Sequence, residues 1–344
     1  MIFSGRNSTG FMDKKSRINW LRCAAAVVLV CCVACVIGKT YQYVSNYNKN
    51  ITERESKYDA QYQADSVSIH IVDAIACQND VLDEIGYGSA NGDWTVLAME
   101  RLTPDSSERR EEYLDNLKSK LHECNGQLGR NSYTDYARIT LVLTALGENP
   151  QNYVGYNLVE SLEDINTLKI QGINAIAYAV IAANSGHYFV TEEHVNYLLS
   201  NQLEDGGWAL AGTASDEDIT SMVLQALSGE MHRSDVVQSV NKGVEYLSTV
   251  QNDNGTFGIN GGNCESTAQA MIALCELNID INDERFVKED KNILDGLLSF
   301  QKNGKFSHVV DSEYDFMATD QALCAMVDYK LVNEDENNTL FRPN

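Results

Sequence analysis

Apolar residues recur at helical spacing through most of this chain. Val240, Val244, Leu247 and Val250, for example, fall on one face of a helix, with polar residues between them. Strand-type alternation of Val, Ile and Thr is almost absent. The chain has only 3 prolines, so long helices can run with few interruptions. The pattern predicts an all-α protein.

The helical pattern is also repeated along the chain. The segment 218–227, DITSMVLQAL, aligns without gaps on 265–274 and 93–102. Weaker copies begin at residues 137, 174 and 317. Each copy is small or apolar on most of its surface, which predicts a helix buried on both sides. Helices with one apolar stripe alternate with these copies and are predicted over 60–85, 111–124, 154–164, 191–202, 236–251 and 285–301.

Six buried helices that alternate with six one-sided helices predict two layers, an inner ring and an outer cover. An open stack of repeats would need polar end caps, and no dedicated cap is present. We therefore expect a closed α6/α6 toroid over residues 60–335. In such a ring the first outer helix lies beside the last inner helix.

A turn motif recurs between each outer helix and the next inner one. It consists of a glutamine, a glycine and, two residues after the glycine, an aromatic residue. The glycine suits a left-handed residue at a helix end, and the glutamine can bond unpaired backbone groups there. The copies are Gln202, Gly206 and Trp208; Gln251, Gly255 and Phe257; and Gln301, Gly304 and Phe306.

This motif resembles the QW motif of the terpenoid cyclase and protein prenyltransferase superfamily. By repeat count the resemblance covers 60–335, and it is most specific over 191–306. The run DGGW followed by D-x-D-x-T-x-M-x-L-Q-A-L is most similar to bacterial cell-surface proteins with prenyltransferase-like repeats. In the superfamily the motif is structural, which implies that its nine residues here are structural rather than catalytic.

The resemblance also suggests one acid site. Class II terpene cyclases open an inner helix with an Asp-x-Asp-Asp-Thr-Ala sequence whose middle Asp is the general acid. Asp216, Asp218 and Thr220 match three of its positions, and Ile219 replaces the third acid. The match implies Asp218 as a catalytic acid with Asp216 beside it, which requires a buried, protonated carboxyl group.

Two other interpretations of these acids stay open. The run from Ser215 to Asp218 has the form of a helix N-cap with an acid three residues on. Asp93 and Glu265 occupy the same repeat column as Asp218, which favours a capping role. Alternatively, a ring of acids binds a ligand at the toroid mouth; its members would be Asp93, Asp216, Asp218, Glu265 and Asp320.

A third enzyme class also uses helical toroids. Carbohydrate-active α/α-barrel enzymes carry paired carboxylates in a central cleft. Asp216, Asp218, Glu265, Asp315 and Asp320 are candidates for such a pair. No zinc-ligand spacing, catalytic triad order or phosphate-binding glycine loop occurs in the sequence. We therefore predict no metal and no cofactor.

Charge is distributed unevenly along the chain. The net charge is −23, and residues 1–39 carry +5, so residues 40–344 carry −28. Such an acidic chain repels phosphate backbones, which excludes nucleic-acid binding. Residues 23–38 are uncharged and follow four cations, which predicts a membrane signal anchor with a cytoplasmic N-terminus.

The predicted order is therefore a basic cytoplasmic tail (1–19), a transmembrane anchor (20–38), a polar stalk (39–59), the toroid (60–335) and a C-terminal tail (336–344). Residues 39–344 are expected outside the cell, or secreted if the signal is cleaved. We predict a non-catalytic module that binds an unknown small molecule or a cell-envelope component. The alternatives are a class II terpene cyclase-like enzyme that uses Asp218 and a carbohydrate-active enzyme.

Overall fold

A computed structural model describes residues 66–82, 85–89, 92–102, 108–189 and 191–342 of the chain. The predicted cytoplasmic tail, membrane anchor and stalk (1–59) lie outside these residues. Among the described helices, none is both long enough and apolar enough to cross a bilayer.

The described part of the chain is almost entirely helical, which confirms the all-α prediction. In chain order the helices are α1 (66–81), α2 (Asp93–Leu102), α3 (Glu108–Glu123), α4 (Tyr133–Ala145), α5 (Ile165–Leu168), α6 (Ile173–Gly186), α7 (Glu192–Ser200), α8 (Glu217–Ser228), α9 (Ser234–Val250), α10 (Cys264–Glu276), α11 (Ile293–Leu298) and α12 (Phe316–Glu334). Two antiparallel strands of two residues each, β1 (Gln301–Lys302) and β2 (Lys305–Phe306), form a hairpin before α12.

The even-numbered helices form a closed ring. Each packs against the next, from α2 to α12, and α12 packs against α2. These helices contain the six repeat copies, and their burial explains the sequence pattern. In α6 every residue from Ala175 to Ala183 is buried, and in α10 every residue from Ser266 to Glu276 is buried. Because an outer segment returns the chain between each inner helix and the next, the inner helices all point the same way. The ring thus has an N-terminal end and a C-terminal end.

The outer layer is less regular than predicted at two places. The expected helix over 154–164 is wrong, because Val154 and Gly155 both adopt positive φ in a tight turn. A 3₁₀ turn (Glu160–Leu162) and the short helix α5 fill this position. The expected helix over 285–301 is also wrong. Glu289 and Asp290 have positive φ, and α11 begins only at Ile293, after the Asn292 capping box.

The first outer helix lies beside the last inner helix, as the ring model predicts. The Gln78 side chain of α1 donates to the carbonyl oxygen of Phe316 at 3.2 Å and to Asp320 Oδ1 at 3.0 Å. It also accepts a 2.9 Å hydrogen bond from the Tyr314 hydroxyl. These contacts join residues more than 230 positions apart in the chain.

The chain after α12 is not a loose tail. Residues 335–342 turn back over the C-terminal end of the ring, and Leu340 and Phe341 are only 1% and 4% exposed. Arg101 of α2 donates to the carbonyl oxygen of Thr339 at 2.7 Å. The described part of the predicted tail (336–342) therefore belongs to the folded ring.

Candidate functional site

The turn motifs tie each turn to the outer segment that follows it. Gln202 Nε2 donates to the carbonyl oxygens of Gly206 and Ser239, both at 2.8 Å. Gln251 Nε2 donates to those of Gly255 and Phe286, both at 3.1 Å. Each glutamine thus satisfies one carbonyl of its own turn and one of the next outer segment.

The glycines of the motif combine a left-handed backbone with close packing. Gly206 and Gly255 have φ values of +94° and +84°. A Cβ atom would lie 2.5 Å from the Lys242 carbonyl oxygen at Gly206, and 2.3 Å from that of Asn292 at Gly255. Only glycine fits both constraints.

The third turn motif closes the outer layer. Gln301 lies in β1 rather than at a helix end, and its side-chain oxygen accepts a hydrogen bond from His70 Nδ1 of α1. A Cβ atom at Gly304 would lie within 3.0 Å of the Asp73 backbone, also in α1. The segment that follows the third motif around the ring is therefore α1, the first outer helix.

The aromatic residues of the motif are fixed by a threonine in the next inner helix. The backbone N–H groups of Trp208, Phe257 and Phe306 donate to a threonine hydroxyl at 2.9–3.1 Å, and all three aromatic side chains are fully buried. The acceptors are Thr220, Thr267 and Thr319. Thr220, which the cyclase resemblance placed in an acid motif, thus belongs to the turn. In the sequence, a threonine recurs two positions after the repeat column that contains Asp93, Asp218 and Glu265. This regularity could have predicted the contact with the turn.

The two acids at the start of α8 have different environments. Asp216 is exposed and is the N-cap, with Oδ1 accepting from the Ile219 N–H at 2.9 Å. The expected N-cap at Ser215 is wrong, because the Ser215 hydroxyl instead donates to Asp205 Oδ1 at 2.6 Å. The N-cap contact favours capping over catalysis for Asp216.

Asp218 is half-buried, and its Oδ1 atom has no hydrogen-bond partner in the structure. Burial raises its pKa to about 6, an effect that a hydrogen bond from Ser266 opposes and the nearby charges of Asp216, Glu217 and Glu265 increase. Glu265 of α10 pairs with His308 at 2.8 Å. Asp218 therefore combines a raised pKa with a carboxyl oxygen that is free to donate or accept.

Asp320 lies apart from this group, in the seam where α2 meets α12, and Asp93 lies at the start of α2, where residues of α3 and α4 contact it. Asp320 is fully buried; Oδ1 accepts from Gln78 and Thr95, and Oδ2 has no partner. Burial raises the pKa of Asp320 to about 7, opposed by these two hydrogen bonds. Asp93 Oδ2 pairs with Arg138 Nε at 2.5 Å, and its Oδ1 accepts from the Tyr113 hydroxyl at 2.8 Å.

The five predicted ligand-binding acids therefore do not form one ring. Asp216, Asp218 and Glu265 lie at the N-terminal ends of α8 and α10, whereas Asp320 is used in the α2–α12 seam and Asp93 in contacts with α3 and α4. Asp315 is the N-cap of α12, with Oδ1 accepting from the Ala318 N–H at 2.9 Å. Asp216 and Asp315 cap helices, and Asp320 is buried. These roles argue against a pair of carboxylates in an open cleft. Within the described residues no group of three or more His, Cys, Asp or Glu side chains is placed to hold a metal ion.

Among the residues that the structure describes, the centre of the ring is nearly filled. The cavity there has a volume of about 10 Å³. Side chains from four inner helices and from the C-terminal segment line it: Trp94, Tyr178, Gln269, Ile272, Gln321, Cys324, Leu340 and Phe341. The Trp94 and Tyr178 rings are 6.1 Å apart. Such a volume holds about one water molecule.

The sequence analysis did not identify Arg138 or the buried acids Glu276 and Asp328. Arg138, Glu276 and Asp328 are charged residues at buried positions of inner helices whose other buried residues are mostly apolar. A charge at such a position is a signal of a buried polar network, because an unpaired charge is costly to bury.

Comparisons with known proteins bear on the fold. A family model described as "Tubulin-like CetZ, C-terminal domain" matches residues 132–274, which is less than half of the chain. No curated protein sequence matches the chain.

Solved structures with a similar fold are type II terpene cyclases. ent-Copalyl diphosphate synthase from Streptomyces platensis is 16% identical with a TM-score of 0.51, and the match covers 70% of this chain and 50% of the synthase. Apo MstE from Scytonema is 13% identical with a TM-score of 0.53, over 76% of this chain and 98% of MstE. A variant of MstE in complex with geranylgeranyl dihydroxybenzoate is 11% identical with a TM-score of 0.52, over 78% and 99%.

The chain thus spans half the length of the synthase and nearly all of MstE. The likeness confirms the expected terpenoid cyclase-like fold. The closer resemblance to cell-surface repeat proteins stays a prediction.

Proposed function

We propose that this toroid, whose fold is that of type II terpene cyclases, is a non-catalytic interaction module that binds its partners at its surface. The observation that carries the proposal is the filled centre of the ring. Small-molecule pockets usually have volumes of about 300–1,000 Å³. The central cavity of about 10 Å³ is far too small for an isoprenoid chain.

Exposed aliphatic side chains at the N-terminal end of the ring support surface binding. Leu210 and Ile259 each lie two residues after the aromatic residue of a turn motif, and they are 55% and 80% exposed. Val310, in the equivalent turn before α12, is 48% exposed. Exposed apolar side chains that share one end of a fold can form an interaction surface.

The localisation remains part of the proposal. The basic, apolar run before residue 39 supports anchoring through 20–38, with the N-terminus in the cytoplasm and residues 39–344 outside the cell. An acidic net charge of −23 argues against nucleic acid as a partner.

A native mass spectrum of the full chain in a non-denaturing detergent tests the filled centre. We expect the bare polypeptide mass, both as purified and after incubation with geranylgeranyl dihydroxybenzoate. A retained isoprenoid, or conversion of the added one into a cyclised isomer, would contradict the proposal.

The second candidate is a class II cyclase-like enzyme, which Asp218 favours. Its pKa of about 6 and its unpartnered Oδ1 are the properties of a general acid. In this case the C-terminal segment would have to leave the ring centre before substrate enters. Turnover that is lost in Asp218→Asn and retained in Asp216→Asn would establish this candidate, whereas no turnover in the unaltered chain would exclude it for the substrate tested.

A further inference from the structure

Three loops at the N-terminal end of the ring are closed in the same way. They span 209–215, 258–262 and 307–314, and each connects the aromatic residue of a turn motif, or the residue after it, to the N-cap of the next inner helix. In each case the N-cap N–H donates to the carbonyl oxygen of the motif aromatic residue at 2.8–2.9 Å. Residues 210–214, 259–261 and 308–313 are exposed. The loops are thus fixed at their bases and open to solvent between them.

Each loop exposes aliphatic side chains that its backbone does not require. The second loop is the clearest case, because Gly258, Asn260 and Gly261 all have positive φ, from +55° to +107°. Glycine and asparagine suit such a backbone, whereas the isoleucine between them, Ile259, contributes nothing to the turn and is 80% exposed. The exposed aliphatic residues of the three loops are Leu210, Ile259, Val309 and Val310.

The three loops are neighbours around the ring. They precede α8, α10 and α12, which pack against one another in this order. The Cys264 N–H at the start of α10 donates to the carbonyl oxygen of His308 in the third loop at 2.9 Å, and Glu265 pairs with the His308 ring at 2.8 Å. A hydrogen bond from Ser266 to Asp218 joins the starts of α10 and α8. The bases of the loops therefore form one continuous surface.

This surface is acidic. The segments 209–217, 258–265 and 307–314 contain five acids and no Lys or Arg. The acids are Asp216, Glu217, Glu265, Asp311 and Glu313. The first three lie at helix N-termini, where negative charge is favourable. Asp311 and Glu313 precede the N-cap of α12 and lie in the exposed loop itself, so a capping role does not explain them.

The charge of this surface restricts what can cover its aliphatic groups. A second copy of the chain carries the same acids and the same net charge of −23, so it would be repelled. Anionic lipids and nucleic acids are repelled for the same reason. The complementary partner presents positive charges together with apolar side chains, because charge complementarity favours the correct encounter and suppresses others.

We propose that the three loops form a docking surface for a basic segment of a partner protein, in which Lys or Arg residues are interleaved with aliphatic residues. The aliphatic side chains of the segment pack on Leu210, Ile259 and the two valines, and its cations pair with the acids around them. The inference rests on the proposed function, because it names the class of partner that the surface of the module binds.

A peptide of defined chemistry tests the proposal. The full chain in a non-ionic detergent is titrated into a fluorescent peptide of alternating leucine and lysine, and empty micelles are titrated in parallel to subtract partition into detergent. We expect a saturable increase in anisotropy. We also expect the amide hydrogens of the three loops to exchange more slowly when the peptide is bound. Peptides with glutamate in place of lysine, or serine in place of leucine, should each bind about 10-fold more weakly.

Serine substitutions test the aliphatic contacts. The double variant Leu210→Ser, Ile259→Ser keeps the charge of the surface and should weaken the Kd of the leucine–lysine peptide by about 10-fold. The matched control is Ile69→Ser, Val72→Ser. These two aliphatic residues are each 60% exposed on α1. The control should change the Kd by less than about twofold, since it lies outside the three loops.

Neutral substitutions test the acids. Asp311→Asn, Glu313→Gln should weaken the Kd by about 5-fold at low salt and by less at high salt, because exposed charges are screened. The control is Glu334→Gln, Glu336→Gln, which removes the same charge at two exposed positions beyond the opposite end of the ring. An equal effect of the control would mean that only the net charge matters and would overturn the proposal.

Other outcomes would also overturn it. These are no saturable binding of the leucine–lysine peptide, equal affinity of the glutamate peptide, and equal weakening by the two pairs of serine variants. A dimer that grows with concentration and disappears in Leu210→Ser, Ile259→Ser would assign the surface to a second copy instead. Retention or turnover of an isoprenoid removes the proposed function, whereas failed peptide binding without either removes this inference alone.

Discussion

The two halves of the ring hold their inner helices in place by different chemistry. From α7 to α12, three turn motifs use neutral hydrogen bonds and a buried aromatic side chain. Around α2 and α4 the inner helices are instead joined by the Asp93–Arg138 ion pair, with Tyr113 and Asp135 as further partners. The inner helices are thus held either by a repeated turn motif or by a buried ionic network.

The difference has an energetic consequence. Each motif glutamine satisfies one carbonyl of its own turn and one of the next outer segment, so the loss of one member leaves few unpaired atoms. A buried ion pair recovers its desolvation cost only while both partners are present. The α2–α4 region should therefore be the more sensitive of the two to a single substitution.

The largest expected effect comes from Arg138→Met. It leaves Asp93 buried without a counter-charge and should lower the free energy of unfolding by about 3–5 kcal/mol. Urea unfolding followed by circular dichroism measures the loss. The double variant Arg138→Met, Asp93→Asn should recover part of it, and an equal loss in both variants would show that the ion pair is not the cause.

The second effect is a pH dependence centred on Asp320. Its pKa is about 7 in the folded chain, against about 4 in an unfolded chain. Because the folded state then binds more protons between these values, stability falls as the pH rises from about 4 to 7. Asp320→Asn should reduce this fall by about 1 kcal/mol per pH unit.

Urea unfolding at several pH values between 4 and 8 measures this slope. Asp311→Asn, at an exposed position, is the control and should leave the slope unchanged. Asp218, with a pKa of about 6, contributes a slope of the same sign, so some dependence should persist in Asp320→Asn. An unchanged slope in Asp320→Asn would contradict the buried environment assigned to this carboxyl.

Gln251→Ala tests the turn motif. It removes the donor to the Gly255 and Phe286 carbonyl oxygens, at a cost of about 1–3 kcal/mol. Thermal unfolding of this variant and of Gln202→Ala, its equivalent one repeat earlier, measures the effect. A loss larger than that of Arg138→Met would reverse the comparison between the two regions.

The smallest effect is expected at the start of α8. Asp216→Ala removes the N-cap and should lower stability by about 1 kcal/mol. Asp218 makes no cap contact, so Asp218→Asn should lower the stability less than Asp216→Ala does. Above pH 6, where the half-buried carboxylate is ionised, Asp218→Asn should even increase the stability. Chemical unfolding at pH 7.5 distinguishes the two. A larger loss in Asp218→Asn would give it a structural role that the contacts do not indicate.

Some features of this protein follow from local sequence. The six inner helices, the turn glycines and the order of the repeats depend on side-chain periodicity and on backbone preferences within a few residues. The predicted outer helices over 154–164 and 285–301 are wrong for a related reason. Their apolar stripe is real, but Gly155 and the turn at Glu289 and Asp290 interrupt the backbone, and short segments bury the apolar residues instead.

Other features depend on contacts between distant parts of the chain. The pairing of Asp93 with Arg138, the burial of Asp320 against Gln78, and the packing of Leu340 and Phe341 into the ring centre join residues from 45 to more than 240 positions apart. The amino-acid pattern by itself determined a closed ring of repeated helices, because the period of burial is a local property. Only the tertiary structure decided which acids are caps, which are buried, and that the centre is filled, because those outcomes depend on what ring closure brings against each side chain.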